Sequence, residues 1–237
     1  MKARRFFFGV GLLITCLNLC LAADTPIARK LYVANTAGDS LSLIDLDRQE
    51  GVRELQIGKH PHGLALSPDQ RVIYCSVESE RAVKFLDTAT DRVSATVPTT
   101  GVPNQLAATP DGRWVYVAIN DTGKADVIDV RQGKVSKTLD IGGRPHNCYC
   151  PKHAKHMYVT SISDHLVKQF DFSHDHSLTR TVKFDGAVRP LCVTENEKWL
   201  FVAIEGLHGF AWADTDNPPG RIERTSSPPQ RRQCGAF

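Results

Sequence analysis

The sequence predicts an all-β protein assembled from repeated four-stranded sheets, and three observations carry that prediction. Hydrophobic doublets ending in an aromatic recur at Leu31–Tyr32, Ile73–Tyr74, Val115–Tyr116, Met157–Tyr158 and Leu200–Phe201, with the aromatics spaced 42, 42, 42 and 43 residues apart. A second marker keeps the same phase: an Asp closes a short apolar stretch at Asp45, Asp87, Asp129, Asp171 and Asp214, again at spacings of 42, 42, 42 and 43. Turn formers punctuate the chain, 17 Gly and 13 Pro in 237 residues, which favours many short strands over a few long helices.

In chain order, the first segment is not part of the fold. Lys2, Arg4 and Arg5 precede an apolar run from Phe6 to Leu21 that ends in Ala22 and Ala23, the pattern expected of a secretory signal peptide over residues 1–23. The run is interrupted by Thr15 and Asn18 and is short against the roughly 20 residues a spanning helix needs. Removing the leader takes three of the 29 basic residues and none of the 26 acidic ones, leaving 26 against 26. A formally neutral mature chain lacks the broad basic footprint of a nucleic-acid binder. The expected location is periplasmic or secreted, with no nucleic-acid partner and no membrane association after cleavage.

The repeats occupy residues 24–214. In the second unit, alternation marks strands at Leu64–Leu66, Val72–Cys75, Val83–Leu86 and Val93–Val97, separated by Gly, Pro, Asp and Ser clusters. The turn after the first strand reads Ser67–Pro68–Asp69 here and Thr109–Pro110–Asp111–Gly112 in the third unit; Pro presets φ, and Asp or Gly supports the turn. The Asp ending each third strand is expected to accept turn N–H groups. Trp114 and Trp199 share one position ahead of the second strand and are expected to pack. A single four-stranded sheet cannot hide both faces, so units must stack, and a period near 42 with four strands matches a β-propeller blade.

About five units are present, and the first opens at Leu31 with what corresponds to a blade's second strand, so an incomplete ring is expected. From Thr215 the pattern fails, with no alternating apolar strand after Ile222. Residues 215–237 read as an atypical Pro/Arg-rich tail, the expectation being a truncated or frame-shifted reading frame whose open blade edges could self-associate. A true five-bladed ring with an irregular tail is the alternative. Beyond the leader stand Cys75, Cys148, Cys150, Cys192 and Cys234, an odd count and a poor disulfide framework, although an oxidising compartment permits pairing. Cys148 and Cys150 lie two apart on one strand face and are expected to be buried small hydrophobes.

Tyr32–Val33–Ala34–Asn35 and Tyr158–Val159–Thr160–Ser161, a Pro followed by His or Asn before the first strand, and the Ser/Thr–Pro–Asp turn together resemble the bacterial YVTN β-propeller repeat family. The resemblance covers about residues 29–214. It implies the fold, usually as seven blades, and leaves function open. WD and kelch repeats fit less well, since no Trp-Asp ends these units and the kelch period is nearer 50.

Blade topology sorts the nine His by end. His60, His62 and His146 lie in links between blades, and His165 and His208 in loops between second and third strands, so five share one end. His153, His156, His174 and His176 fall at the other, the last two in a turn read as solvated. The slot after Pro61, Pro103 and Pro145 holds His62, Asn104 and His146, with Arg189 near the matching place. A second slot holds Asp39, Arg81, Gly123, His165 and His208. Varied chemistry at fixed slots suits a binding surface, so the candidate ligand-binding residues are His62, Asn104, His146, Arg189, His165 and His208. Glu78, Glu80, Asp121, Asp164 and Glu205 lie nearby in sequence, and His62 and His146 are candidate ligands for a transition metal.

No nucleophile elbow, His-Glu-x-x-His, Cys-x-x-Cys-His or phosphate loop is present, so no catalytic residue is assigned. The expected function is that of an exported non-catalytic propeller binding a protein, small-molecule or metal ligand on the His-bearing end. The alternatives are an oxidoreductase or accessory subunit of a quinone-, haem- or copper-dependent system, and a lactonase-like hydrolase.

Overall fold

The computed structural model describes residues 29–206, 209–215 and 223–224, arranged as five antiparallel sheets. The first sheet has three strands, β1 (Lys30–Ala34), β2 (Ser40–Asp45) and β3 (Glu50–Gln56). The second contains β4 (Pro61–Leu66), β5 (Val72–Val77), β6 (Ala82–Asp87) and β7 (Arg92–Pro98), with a single 3-10 turn at Glu78–Glu80. The third contains β8 (Pro103–Ala108), β9 (Trp114–Ile119), β10 (Lys124–Asp129) and β11 (Lys134–Asp140). The fourth contains β12 (Pro145–Tyr149), β13 (His156–Ser161), β14 (Leu166–Asp171) and β15 (Ser177–Lys183). The fifth contains β16 (Val188–Val193), β17 (Trp199–Ile204), β18 (Phe210–Asp214) and β19 (Glu223–Arg224).

These are propeller blades. Strand β1 pairs with β2 as β5 pairs with β6, so the described chain enters the fold at a blade's second strand, as the sequence indicates. No closed ring forms among the described residues. Strand β19 pairs with Ala211 and Trp212 inside the stretch read as a tail. An outermost strand needs ladder hydrogen bonds more than a buried face, so its sequence carries no apolar alternation to read. The segment read as a leader, the rest of the stretch read as a tail, Cys234 and His208 lie outside the described residues.

Stacking explains the strand sequences. Strands β5, β9 and β13 are buried on both faces after their first residue, because each blade is covered by a neighbour on either side. The outermost strands β7, β11 and β15 are largely exposed and carry more polar residues. One apolar cluster fills each boundary: Leu41, Ile57, Ile73 and Leu86 between the first and second blades, and Tyr74, Phe85, Leu106 and Val117 between the second and third. Tyr116, Val127, Met157 and Phe170 fill the third boundary, and Tyr158, Phe184, Leu191 and Leu200 the fourth. Cys148 is buried in the third of these clusters and Cys150 packs against it, so the two thiols share a face as predicted. Cys75, Cys148, Cys150 and Cys192 are free thiols.

The turns behave as their residues dictate. Asp45 Oδ1 accepts from the N–H of Asp47 and Arg48, Asp87 from Ala89 and Thr90, Asp129 from Gln132, and Asp171 from Ser173 and His174. In the first turn of the third blade Thr109 Oγ donates to Asp111 at 2.5 Å and accepts from Trp114 N, while Gly112 takes the left-handed φ of 68°.

Candidate functional site

Each inner strand loses register just after it starts. Pro61, Pro103, Pro145 and Val188 pair with Val77, Ile119, Ser161 and Ile204, and pairing resumes only at Leu64, Leu106, Cys148 and Leu191. Two residues per strand are thereby released from the ladder: His62 and Gly63, Asn104 and Gln105, His146 and Asn147, Arg189 and Pro190. Proline tolerates these places because a strand's first residue or a bulge can dispense with the ladder N–H it lacks. Bulges re-aim side chains. These four sit at one end of four consecutive inner strands.

The released backbone finds side-chain partners. Gly63 N donates to Ser76 Oγ at 2.7 Å, and the same hydroxyl donates to the Asn104 carbonyl of the next blade at 2.6 Å. Thr160, the counterpart of Ser76 in β13, accepts from Asn147 N at 2.9 Å. Gly63 is required by proximity: a Cβ there would lie 2.8 Å from the Asn104 carbonyl oxygen and 2.9 Å from Gln105 Cα.

Four predicted residues meet around this end. Asn104 is only 4% exposed, and its Nδ2 donates to Glu78 Oε1 at 3.3 Å. His62 Nε2 stands 4.0 Å from the same Glu78 oxygen, and its Nδ1 is 3.5 Å from Gln105 Nε2. In the next blade, burial pushes the His146 imidazole down to about 4, and the positive charges of Arg189 and Arg144 push it the same way. His146 is therefore neutral near pH 7. Arg189 pairs with Glu205 at 2.9 Å, whereas Arg144 Nε donates to the neutral Asn120 Oδ1 at 2.7 Å.

Two buried polar atoms at this end have no hydrogen-bond partner, Asn104 Oδ1 and His146 Nδ1. Buried polar groups are nearly always satisfied, so two orphans on adjacent strands at the same bulge call for an explanation.

The second slot has a different character. Arg81, Gly123 and His165 all adopt left-handed φ, 49°, 70° and 54°, and their carbonyls accept from Thr99, Ile141 and Phe184. The slot is a turn position that tolerates varied side chains, and none of the hydrogen bonds around Asn104 involves His165. Its companion His208 lies outside the described residues. The acids nearby are already engaged: Glu80 pairs with Lys84 at 2.8 Å, Asp121 accepts from Val102 N at 2.8 Å, and Asp164 packs on Gly142 and Gly143. Among the described residues no group of three or more His, Cys, Asp and Glu is arranged to hold a metal ion. Gln105 and Arg144 escaped the sequence reading; the bulge that brings Gln105 beside His62 has no periodic signal.

At the opposite end His174 is exposed, as expected, and bonds Asp171 at 2.7 Å. His176 is not solvated. It is 6% exposed, because left-handed φ at Asp175 and His176 turns the ring inward against Trp114 and the Tyr116 hydroxyl. Trp114 packs against that ring, in line with its predicted role, whereas Trp199, expected to pack likewise, is 36% exposed with the Lys198 ammonium over its ring.

Comparisons with known proteins agree with this architecture. A family model described as a YNCE-like beta-propeller matches residues 10–215. No curated protein matches the chain. Among solved structures, the chain is similar to Kuenenia stuttgartiensis hydrazine synthase at 17% identity and a TM-score of 0.73, covering 84% of this chain and 63% of that one. It is similar to dihydro-heme d1 dehydrogenase NirN in complex with DHE at 17% identity and a TM-score of 0.70, covering 84% and 44%. A functionally unknown protein from Desulfotomaculum acetoxidans matches at 14% identity and a TM-score of 0.66, covering 78% and 63%. The chain thus spans less than two thirds of each of these neighbours, and identities this low speak for the fold alone.

Proposed function

The chain belongs to the YNCE-like beta-propeller family, and from that premise we propose that it is an exported, non-catalytic propeller that binds a small molecule at the end carrying His62, Asn104, His146 and Arg189. One observation supports this reading above the others: Asn104 Oδ1 and His146 Nδ1 are buried without partners at equivalent bulges of neighbouring inner strands. A ligand supplying one donor and one further polar group would satisfy both, and leaving them unsatisfied costs about 1–3 kcal/mol each. Export follows from the composition of residues 1–23.

The environment favours an organic ligand over a metal ion. Arg189 and Arg144 act on His146 with positive charge, which opposes a second cation there. The test is a thermal-shift screen of the purified chain against a panel of small metabolites. The reading expects a saturable stabiliser whose effect disappears in Asn104→Leu and persists in His174→Ala at the opposite end. A stabiliser unaffected by Asn104→Leu contradicts it.

A further inference from the structure

We infer that this site takes a small zwitterion of the α-amino-acid class, its ammonium group directed to Asn104 Oδ1 and Glu78 and its carboxylate to Arg144, Arg189 and His146 Nδ1–H. The inference rests on the proposed binding at the Asn104 end and adds the chemistry of the occupant. It begins with the orientation of the Asn104 amide. A carboxylate can only accept, so Glu78 Oε1 takes the Nδ2 end at 3.3 Å, and the orphan at 104 is necessarily the carbonyl oxygen. That atom requires a donor.

Glu78 strengthens the demand. Its side-chain hydrogen bond at this end is to Asn104, with His62 Nε2 farther off at 4.0 Å, which leaves a carboxylate with spare acceptor capacity beside an unpaired carbonyl. A protonated amine fills such a pair, giving one hydrogen bond to each acceptor and a charge opposite to that of Glu78.

The next inner strand carries His146, on which Arg189 and Arg144 act with positive charge. Arg189 is engaged by Glu205, while Arg144 is exposed and hydrogen-bonds a neutral amide, which leaves its remaining N–H groups able to turn to a ligand. A planar guanidinium with five N–H groups matches a carboxylate in geometry as well as charge. His146 Nδ1, buried without a partner, can add one donor in the Nδ1–H tautomer. Acceptors on one flank and donors on the other select a dipolar ligand. A simple anion would leave Asn104 Oδ1 unmatched, and a simple amine would leave the His146 Nδ1–H unmatched.

The test uses the full chain, with the twenty standard L-α-amino acids as probes, first mixed and then singly, in thermal-shift and calorimetric titrations. Their N-acetyl and amide derivatives, acetate and methylammonium serve as controls. The expected result is saturable binding of at least one amino acid, weakened tenfold or more by N-acetylation, by amidation and by Arg144→Gln, and abolished by Asn104→Leu. Where Asn104→Leu does not fold, Asn104→Ser replaces it. Absence of saturable binding by every amino acid overturns the inference. So does a derivative, acetate or methylammonium that binds as well as the free amino acid; if that binding is still lost in the Asn104 variant, the reading of a ligand site at this end stands and only the zwitterion fails. Binding that survives the Asn104 variant overturns both.

Discussion

The Asn104 amide donates across the boundary between the second and third blades to the Glu78 carboxylate, Nδ2 to Oε1 at 3.3 Å. This one contact fixes which end of the amide is left buried without a partner. It ties the chemistry of the site to the packing of two blades, so changes in the bulge backbone should register in both stability and binding.

Ser76→Ala removes a hydroxyl that accepts from Gly63 N and donates to the Asn104 carbonyl. Two buried backbone groups lose their partner, and the expected loss is about 1–3 kcal/mol for each. Urea denaturation checks it, and ligand affinity should fall in parallel because the Asn104 bulge is no longer held.

Gly63→Ala places a methyl group against the backbone of Asn104 and Gln105, atoms that cannot rotate away. We expect about 1–3 kcal/mol of destabilisation from overpacking. Gly51→Ala is the control: it meets nothing within 4 Å, and a change within about 0.5 kcal/mol is expected in the same denaturation experiment.

Tyr116→Phe deletes the hydroxyl that bonds His176 Nδ1 at 2.5 Å across the third and fourth blades. The phenyl ring keeps the packing, so the expected loss is the hydrogen bond and the unpaired imidazole nitrogen, about 1–2 kcal/mol. The denaturant midpoint should fall with no change in its slope.

Burial, helped by Lys137 and Arg113 and opposed by Asp175, holds the His176 pKa below its ordinary 6.5; Tyr116 and Trp114 are the uncharged groups against the ring. The unfolded chain therefore takes up the proton first as pH falls. Stability is greatest above about pH 6.5 and declines below it until the folded imidazole itself protonates. Urea midpoints at pH 7.5 and 5.5 should show the drop, and His176→Gln should reduce it. An equal drop in the variant would assign the effect to other groups.

The fold was legible because stacking imposes a period: the Tyr74, Tyr116 and Tyr158 rings recur at 42-residue spacing, and each fills a boundary between blades. The capping role of Asp87 and Asp171 was legible for the same reason. Placement of His62, Asn104, His146 and Arg189 at one end followed from topology, but their surroundings did not. A bulge changes register without changing composition, so nothing in the sequence showed that Gln105 approaches His62 or that Gly63 meets Asn104. His176 was misread because its burial depends on two left-handed residues, Asp175 and His176, neither of them glycine. The short strand Glu223–Arg224 was missed because it has no hydrophobic alternation.

The most direct measurement is nitrogen-15 NMR of the histidine side chains during titration with the twenty-amino-acid mixture. A saturable change at His146 Nδ1, absent from His174 and lost in Asn104→Leu, is the predicted result. A His146 Nδ1 signal that stays fixed while a ligand binds elsewhere on the chain would contradict the account.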